Sequence, residues 1–198
     1  TNLFPDLKTV IVGLQRGSQM IIPKLNEKLI VGDIAYLVCP SELSRRAVSI
    51  FGHPEKEARK VVLVGGGSVG SEVASLIDTM TDKIKLTVIE NDENNASILS
   101  DKYKDITVLN GSGIDREILH EADIENTETL VSLTDSDEVN FLSAAFSSSE
   151  GCKKSLALLN TSDFQSLIMS LKIGEFIDPK AITISSILRH VRKGHIKR

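Results

Sequence analysis

From Lys60 onward, short apolar runs of strand length alternate with amphipathic stretches of helical spacing, and a glycine-rich turn joins the first run to the first helix. These observations predict an α/β fold with a doubly wound parallel sheet over residues 60–198, because apolar strands separated by helices must be covered on both faces. Residues 1–52 read differently, as a small strand-rich α+β unit, and the polar stretch 53–59 reads as a linker.

In the first unit, the run 10–14 is rich in β-branched residues and stops at the Arg16-Gly17 turn, and the run 20–22 ends at Pro23. The runs 28–31 and 34–38 flank Gly32-Asp33, which suggests a hairpin or tight bend. Ser41 is placed to cap a helix over 42–51, where Leu43, Ala47, Ile50 and Phe51 have helical spacing.

In the second unit, strands are predicted over 61–64, 86–90, 107–109, 129–133 and 156–159, with a weak sixth at 176–177. Helices are predicted over 68–80, 94–101, 115–122, 138–149, 164–171 and 180–192. In the first of these, Val69, Val73, Leu76, Ile77 and Met80 mark one apolar face.

Composition excludes several function classes. The chain has 198 residues, a formal net charge of −4, no Trp and two Tyr. A basic footprint and a stacking surface for nucleic acid are therefore both missing, and no nucleic-acid partner is expected. No apolar run approaches the roughly 20 residues of a membrane helix, so no direct membrane insertion is expected. Cys39 and Cys152 are too few for a disulfide framework or a zinc site, which fits a reducing cytoplasm. The chain opens on Thr1 and stops soon after a basic helix, so it is expected to be a fragment of something longer.

The glycine turn is the most informative motif. Gly65-Gly66-Gly67-Ser68-Val69-Gly70 is G-x-G-x-x-G, directly after an apolar strand and opening a helix. Gly65 allows the tight turn, Gly67 lets the backbone approach a pyrophosphate, and Gly70 allows close helix–sheet packing. The N–H groups and dipole at the start of the Ser68 helix favour an anion. Glu90 ends the next strand, about 20 residues beyond the glycines, where a carboxylate meets ribose hydroxyls. A carboxylate there repels a 2′-phosphate, and no Arg follows in 91–95, so NADP is not expected. The expected fold is thus Rossmann-like, with NAD or NADH as ligand and ADP or ATP as alternatives.

Two further loops reach the same edge. Residues 110–115, with Gly111 and Ser112, could wrap an adenine edge or could simply connect to a helix capped by Asp115. Residues 134–138, with Thr134 and Asp135, lie at the topological switch point. Their acids could face the distal end of a ligand or a cation, or could cap and charge a helix start through Ser136 or Asp137. The candidate cofactor-binding set is therefore Gly65, Gly66, Gly67, Ser68, Val69, Gly70, Glu90, Asn91, Gly111, Ser112, Thr134 and Asp135. No metal-binding residues are assigned.

Catalytic equipment is not evident. His53 falls in the linker, His120 on a helix surface, and His190 and His195 in the basic end of the chain. Neither Tyr36 nor Tyr103 has a Lys four residues later, and no G-x-S-x-G, C-x-x-C or Walker lysine occurs. The chain is expected not to be an enzyme, although a truncated NAD-dependent oxidoreductase is the second reading.

Residues 60–198 resemble the nucleotide-binding domain of Trk-type potassium-uptake regulatory subunits, also called KTN or RCK domains. The resemblance rests on residues 64–70, Val88-Ile89-Glu90, Asn110-Gly111, Asp115, Ile118-Leu119 and 121–124. It continues through the run 130–140 (Leu-Val-Ser-Leu-Thr-Asp-x-Asp-Glu-x-Asn), Asp178-Pro179, Ile187 and Val191-Arg192. Residues 8–51 look like the small C-terminal module of the same family. A C-type module before an N-type domain implies a piece of a tandem subunit. The resemblance implies a cytoplasmic homo-oligomer, a dimer or larger ring, peripheral at the inner face of the cell membrane beneath a potassium-conducting membrane subunit. NAD(H) or ADP/ATP would bias its shape. Ser112 departs from the family pattern, in which Asp commonly follows Gly, and this motivates a third reading: a structural ring module that has lost ligand binding.

Overall fold

The computed structural model describes residues 8–17, 19–24, 26–51, 58–80 and 84–192. Most of the expected linker, with His53, and the basic end after 192, with His195, lie outside the described residues. The chain divides between residues 57 and 58 into two compact units.

The first unit holds strands β1 (Val10–Arg16), β2 (Gln19–Ile21) and β3 (Ile34–Val38), then helix α1 (Ser44–Ile50). They form an antiparallel sheet ordered β2-β1-β3. Two expectations fail here. Residues 28–31 form no strand, because their polar groups close a turn around one ion pair. Arg16 binds the Asp33 carboxylate at 2.9 and 2.8 Å, its Nη2 also donates to the Lys28 carbonyl, and Ile30 N–H donates to Asp33. That fork holds the Asp33 carboxyl at about 2, through the Arg16 hydrogen bond first and the Ile30 N–H second. Nor does Ser41 cap: a 3-10 turn spans Ser41–Leu43, and α1 opens without a side-chain cap.

The second unit alternates strand and helix throughout. Its elements are β4 (Lys60–Val64), α2 (Ser68–Asp78), β5 (Lys85–Glu90), α3 (Glu93–Lys102), β6 (Thr107–Asn110), α4 (Arg116–Glu121) and β7 (Thr129–Ser132). Then come α5 (Asp137–Ser149), β8 (Lys154–Leu158), α6 (Ser162–Leu171), β9 (Glu175–Ile177) and α7 (Pro179–Arg192). The six strands are all parallel and ordered β6-β5-β4-β7-β8-β9. This is a Rossmann-like doubly wound sheet, in which the order reverses direction between β4 and β7.

β4 shows why the strands read as continuous apolar runs. Val61 and Leu63 pack on one face with Ala74, Leu86, Val88 and Leu99, while Val62 and Val64 pack on the other with Ile89, Leu119, Ile124 and Leu130. Each fully buried side chain of this size contributes about 1.5–3 kcal/mol relative to exposure. Helix starts follow local chemistry: Asp92, Asp115, Ser136 and Asp178 each accept a backbone N–H in the first turn of α3, α4, α5 and α7.

The apolar face expected on α2 needs correction. Val69, Leu76 and Met80 are exposed, and the helix instead meets the sheet through Gly70 and Ala74, with Val73 and Ile77 beside them. Small residues win because the helix approaches the strand–turn backbone too closely for a larger side chain. A methyl group at Gly70 would collide with the Gly65 carbonyl oxygen.

Candidate nucleotide site

The carboxyl ends of β4, β5, β6, β7 and β8 open onto a cavity of about 790 Å³. That falls within the size range of small-molecule and cofactor pockets, and the cavity lies at the topological switch point of the sheet. Of the residues expected from sequence, Gly65, Gly67, Ser68, Val69, Glu90, Asn91, Gly111, Ser112, Thr134 and Asp135 line it. Gly66 and Gly70 do not. They build the cavity from behind: a side chain at Gly66 would strike Leu99, and Gly70 seats α2 against the turn.

The glycine loop is fixed at its start. Gly65 has φ +97°, and its N–H donates to the Ile89 carbonyl at 2.8 Å. That φ is costly for any residue with a Cβ, and here a Cβ would also press on Thr134 at 3.0 Å. Gly67 is the opposite case, since a Cβ there would meet open space. α2 begins just after it with no side-chain cap, so the first-turn donors of this helix are left for solvent or a ligand.

Glu90 is buried, and both oxygens of its carboxylate are engaged. Oε2 accepts the Gly66 N–H at 2.5 Å and Oε1 accepts the Asp92 N–H at 2.8 Å. Beyond the ribose role expected from its position, Glu90 ties the glycine loop to the start of α3. Each oxygen keeps a second lone pair, so the roles are compatible. The β6 loop is held to the same strand, with Gly111 N–H and Asn110 Nδ2 both donating to the Glu90 carbonyl. Ser112 half faces the cavity, and its carbonyl accepts the Asp115 N–H at 3.0 Å, so the loop is also the lead-in to a capped helix.

Two residues not assigned to the site from sequence organise its far side. Asn140 is fully buried. Its Oδ1 accepts Ser132 Oγ at 2.8 Å, Thr134 N–H at 2.8 Å and Thr134 Oγ1 at 2.7 Å. Its Nδ2 donates to the carbonyls of Thr134 and Leu158 at 2.9 and 2.8 Å, clamping the ends of β7 and β8 together. Asp137 accepts from Asn160 N–H, Asn160 Nδ2, Thr161 N–H and Thr161 Oγ1, all at 2.8–3.0 Å. Burial alone would push its carboxyl up, but the Asn160 and Thr161 donors outweigh it and hold the carboxyl below its usual range. Asp137 therefore closes the loop after β8 while Ser136 caps α5. The only hint in sequence was that both residues sit in the 130–140 run.

Among the described residues, none of those lining the cavity is a His, Lys, Tyr or Cys, and no group of three potential metal ligands occurs. Among the described residues, no helix is long and apolar enough to cross a membrane.

Comparison with known proteins agrees with this fold. The chain is 34% identical over 197 residues to a Trk system potassium uptake protein TrkA from Azorhizobium caulinodans. It covers 100% of this chain and 43% of that relative's length. The GsuK channel bound to NAD superposes with a TM-score of 0.59 at 15% identity, covering 96% of this chain and 34% of that one. The C-terminal domain of Kef from Shewanella denitrificans, in its AMP-bound form, superposes with a TM-score of 0.54 at 14% identity, covering 69% and 83%. At those identities the two structures speak to the fold alone. The family model described as the TrkA-N domain matches residues 61–179, the stretch that carries all six parallel strands and the cavity, and the chain belongs to that family.

Proposed function

We propose that this chain is a nucleotide-sensing part of a potassium-uptake regulator, with residues 1–52 as a small accessory module, 53–59 as a linker and 60–198 as the binding domain. It takes NAD or NADH at the carboxyl edge of the sheet and passes the bound state to a potassium-conducting membrane partner, without turning the ligand over. The observation that carries the binding step is the open Gly67 position before the uncapped α2, facing a cavity with Glu90 one strand away. The pyrophosphate lies over Gly67 and Ser68, and the adenosine ribose meets Glu90. The name of the Azorhizobium relative supports the potassium assignment, and the NAD-bound GsuK channel supports the ligand class and a channel as the partner. An adenine mononucleotide such as ADP or ATP is the second reading, favoured by the AMP-bound Kef domain.

Calorimetry on ligand-free protein tests the assignment, with NAD(H) binding and NADPH binding much more weakly. Glu90→Ala should lower NADH affinity roughly tenfold, since hydrogen bonds to a charged group contribute about 1.5–3 kcal/mol. NADPH binding more tightly than NADH to the unaltered protein would remove Glu90 as the ribose acceptor.

The proposal also includes self-assembly, as a dimer or larger ring, through α7. Ile184, Ile187, Leu188 and Val191 share one side of that helix at helical spacing, and all four are exposed. The alternative, that the stripe packs on its own sheet, does not describe α7 here. Light scattering on Ile187→Asp combined with Leu188→Asp should return a smaller particle than the unaltered protein. A folded variant of unchanged mass refutes α7 as the contact.

A further inference from the structure

Asn110 ends β6, and the residues that follow it, Gly111 and Ser112, line the nucleotide cavity. Asn110-Gly111 is the one Asn-Gly pair in the chain; every other asparagine precedes a residue that carries a Cβ. The difference is chemical, because glycine leaves its own nitrogen unhindered beside the asparagine side-chain amide.

The fold holds this pair in its unreacted form. Asn110 pairs with Glu90 across the parallel ladder, and the Gly111 N–H donates to the Glu90 carbonyl at 2.9 Å. Asn110 Nδ2 donates to the same carbonyl at 3.0 Å and to the Asn91 carbonyl at 3.4 Å. The Gly111 nitrogen is thereby engaged with β5 and is not free to approach the Asn110 side chain. Asn110 is nevertheless exposed, at the end of the outermost strand of the sheet, where water and a base reach it. The end of an edge strand opens at a lower free-energy cost than the central strands.

We propose that Asn110 is a site of self-modification: its deamidation disables the nucleotide site, and bound nucleotide protects against it. This rests on the nucleotide-binding reading above. When the end of β6 opens, the Gly111 nitrogen gives up its proton to a base and attacks Asn110 Cγ. The N–Cγ bond forms, the Cγ–Nδ2 bond breaks, and the amide leaves as ammonia after taking a proton from water. Water then opens the cyclic imide. Cleavage at Cγ gives aspartate and cleavage at the main-chain carbonyl gives isoaspartate, with no change of oxidation state. Either product replaces an N–H donor by a carboxylate, so that oxygen faces the Glu90 and Asn91 carbonyls where N–H groups now bridge them. Isoaspartate also lengthens the main chain by one atom, which displaces Gly111 and Ser112 from the cavity wall.

Incubation of the full chain at mildly alkaline pH, with and without NADH, followed by peptide mapping tests this. Without ligand, Asn110 should react faster than any other asparagine of the chain. NADH at about a hundred times its dissociation constant should slow the reaction about tenfold or more, because only the closed loop completes the site. Asn110→Asp should bind NADH about tenfold more weakly than fresh protein, since the bridge is lost and repulsion takes its place. Asn110→Ser has no amide to cyclise. Whatever its starting affinity, it should keep it through an incubation that depletes NADH binding by the unaltered chain. The proposal is overturned if Asn110 reacts no faster than the other asparagines, or if bound NADH leaves its rate unchanged. It is equally overturned by full NADH affinity in a folded Asn110→Asp, or by Asn110→Ser losing affinity as fast as the unaltered chain. If fresh protein binds NADH, any of these results removes the modification alone. If fresh protein binds none, the nucleotide reading falls, and this inference with it.

Discussion

Gly67→Asp should abolish nucleotide binding, lowering affinity by about a hundredfold or more, while the protein melts within a few degrees of the unaltered chain. Both halves follow from the same observation. A Cβ at Gly67 meets open space, so the side chain enters without displacing protein atoms. It then occupies the approach to the α2 N-terminus, where phosphate oxygens would take the first-turn donors, and adds a carboxylate to a cavity already holding three. Like charges a few ångströms apart in a partly desolvated site cost about 2–4 kcal/mol, a factor of tens to several hundred. Asp in this position would also act as an N-cap, which offsets any loss from replacing glycine. Calorimetry beside a thermal melt decides the matter. Undiminished affinity would make the loop structural only, and a collapsed melt would show that the position is not open.

Asn140→Leu should be the most destabilising single change at the site's far side. The substitution keeps approximate volume but strands a buried set: the Ser132 hydroxyl, the Thr134 N–H, and the carbonyls of Thr134 and Leu158 lose their partner. Each stranded group costs about 1–3 kcal/mol, and some can find water at the cavity edge, so a net loss of about 3 kcal/mol is expected. For a domain of this size that corresponds to a melting temperature lower by about 10 °C. Nucleotide affinity should fall as well, because Thr134 and Asp135 follow directly from the strand end that Asn140 pins. A melt within two degrees of the unaltered protein would mean that the clamp is dispensable. A lowered melt with unchanged affinity would show that it supports the fold but does not position the site.

The legible parts of this molecule were those set by residues near each other in the chain. Asp115, Ser136 and Asp178 are readable as caps because a cap needs one side-chain acceptor two or three residues ahead of a helical N–H. Gly65 and Gly67 are readable because strand, turn and helix follow one another without interruption. The stripe on α2 departs from expectation for the complementary reason. Periodicity reports which residues share a face, not which face the sheet selects, and here Gly70 and Ala74 allow a closer approach than Val69, Leu76 and Met80 would. Residues 28–31 misled in the same way, since their β-branched character gives no sign that Arg16 and Asp33 would gather that stretch into a turn.

The order of residues alone specifies the class of fold, the succession of strands and helices in the second unit, and the glycine turn at the carboxyl edge of the sheet. Apolar period, glycine placement and helix caps are all encoded within a few residues. The roles of the polar side chains at that edge follow from the packing of the strands. Glu90, Asp137 and Asn140 carry groups that could face ligand, metal or solvent, and each has a partner distant in sequence, 24, 23 and 18 residues away. A buried polar group must take whichever donor or acceptor the packed strands bring to it. That choice is made when β5 settles beside β4 and β7 beside β8, and no window of the sequence contains it.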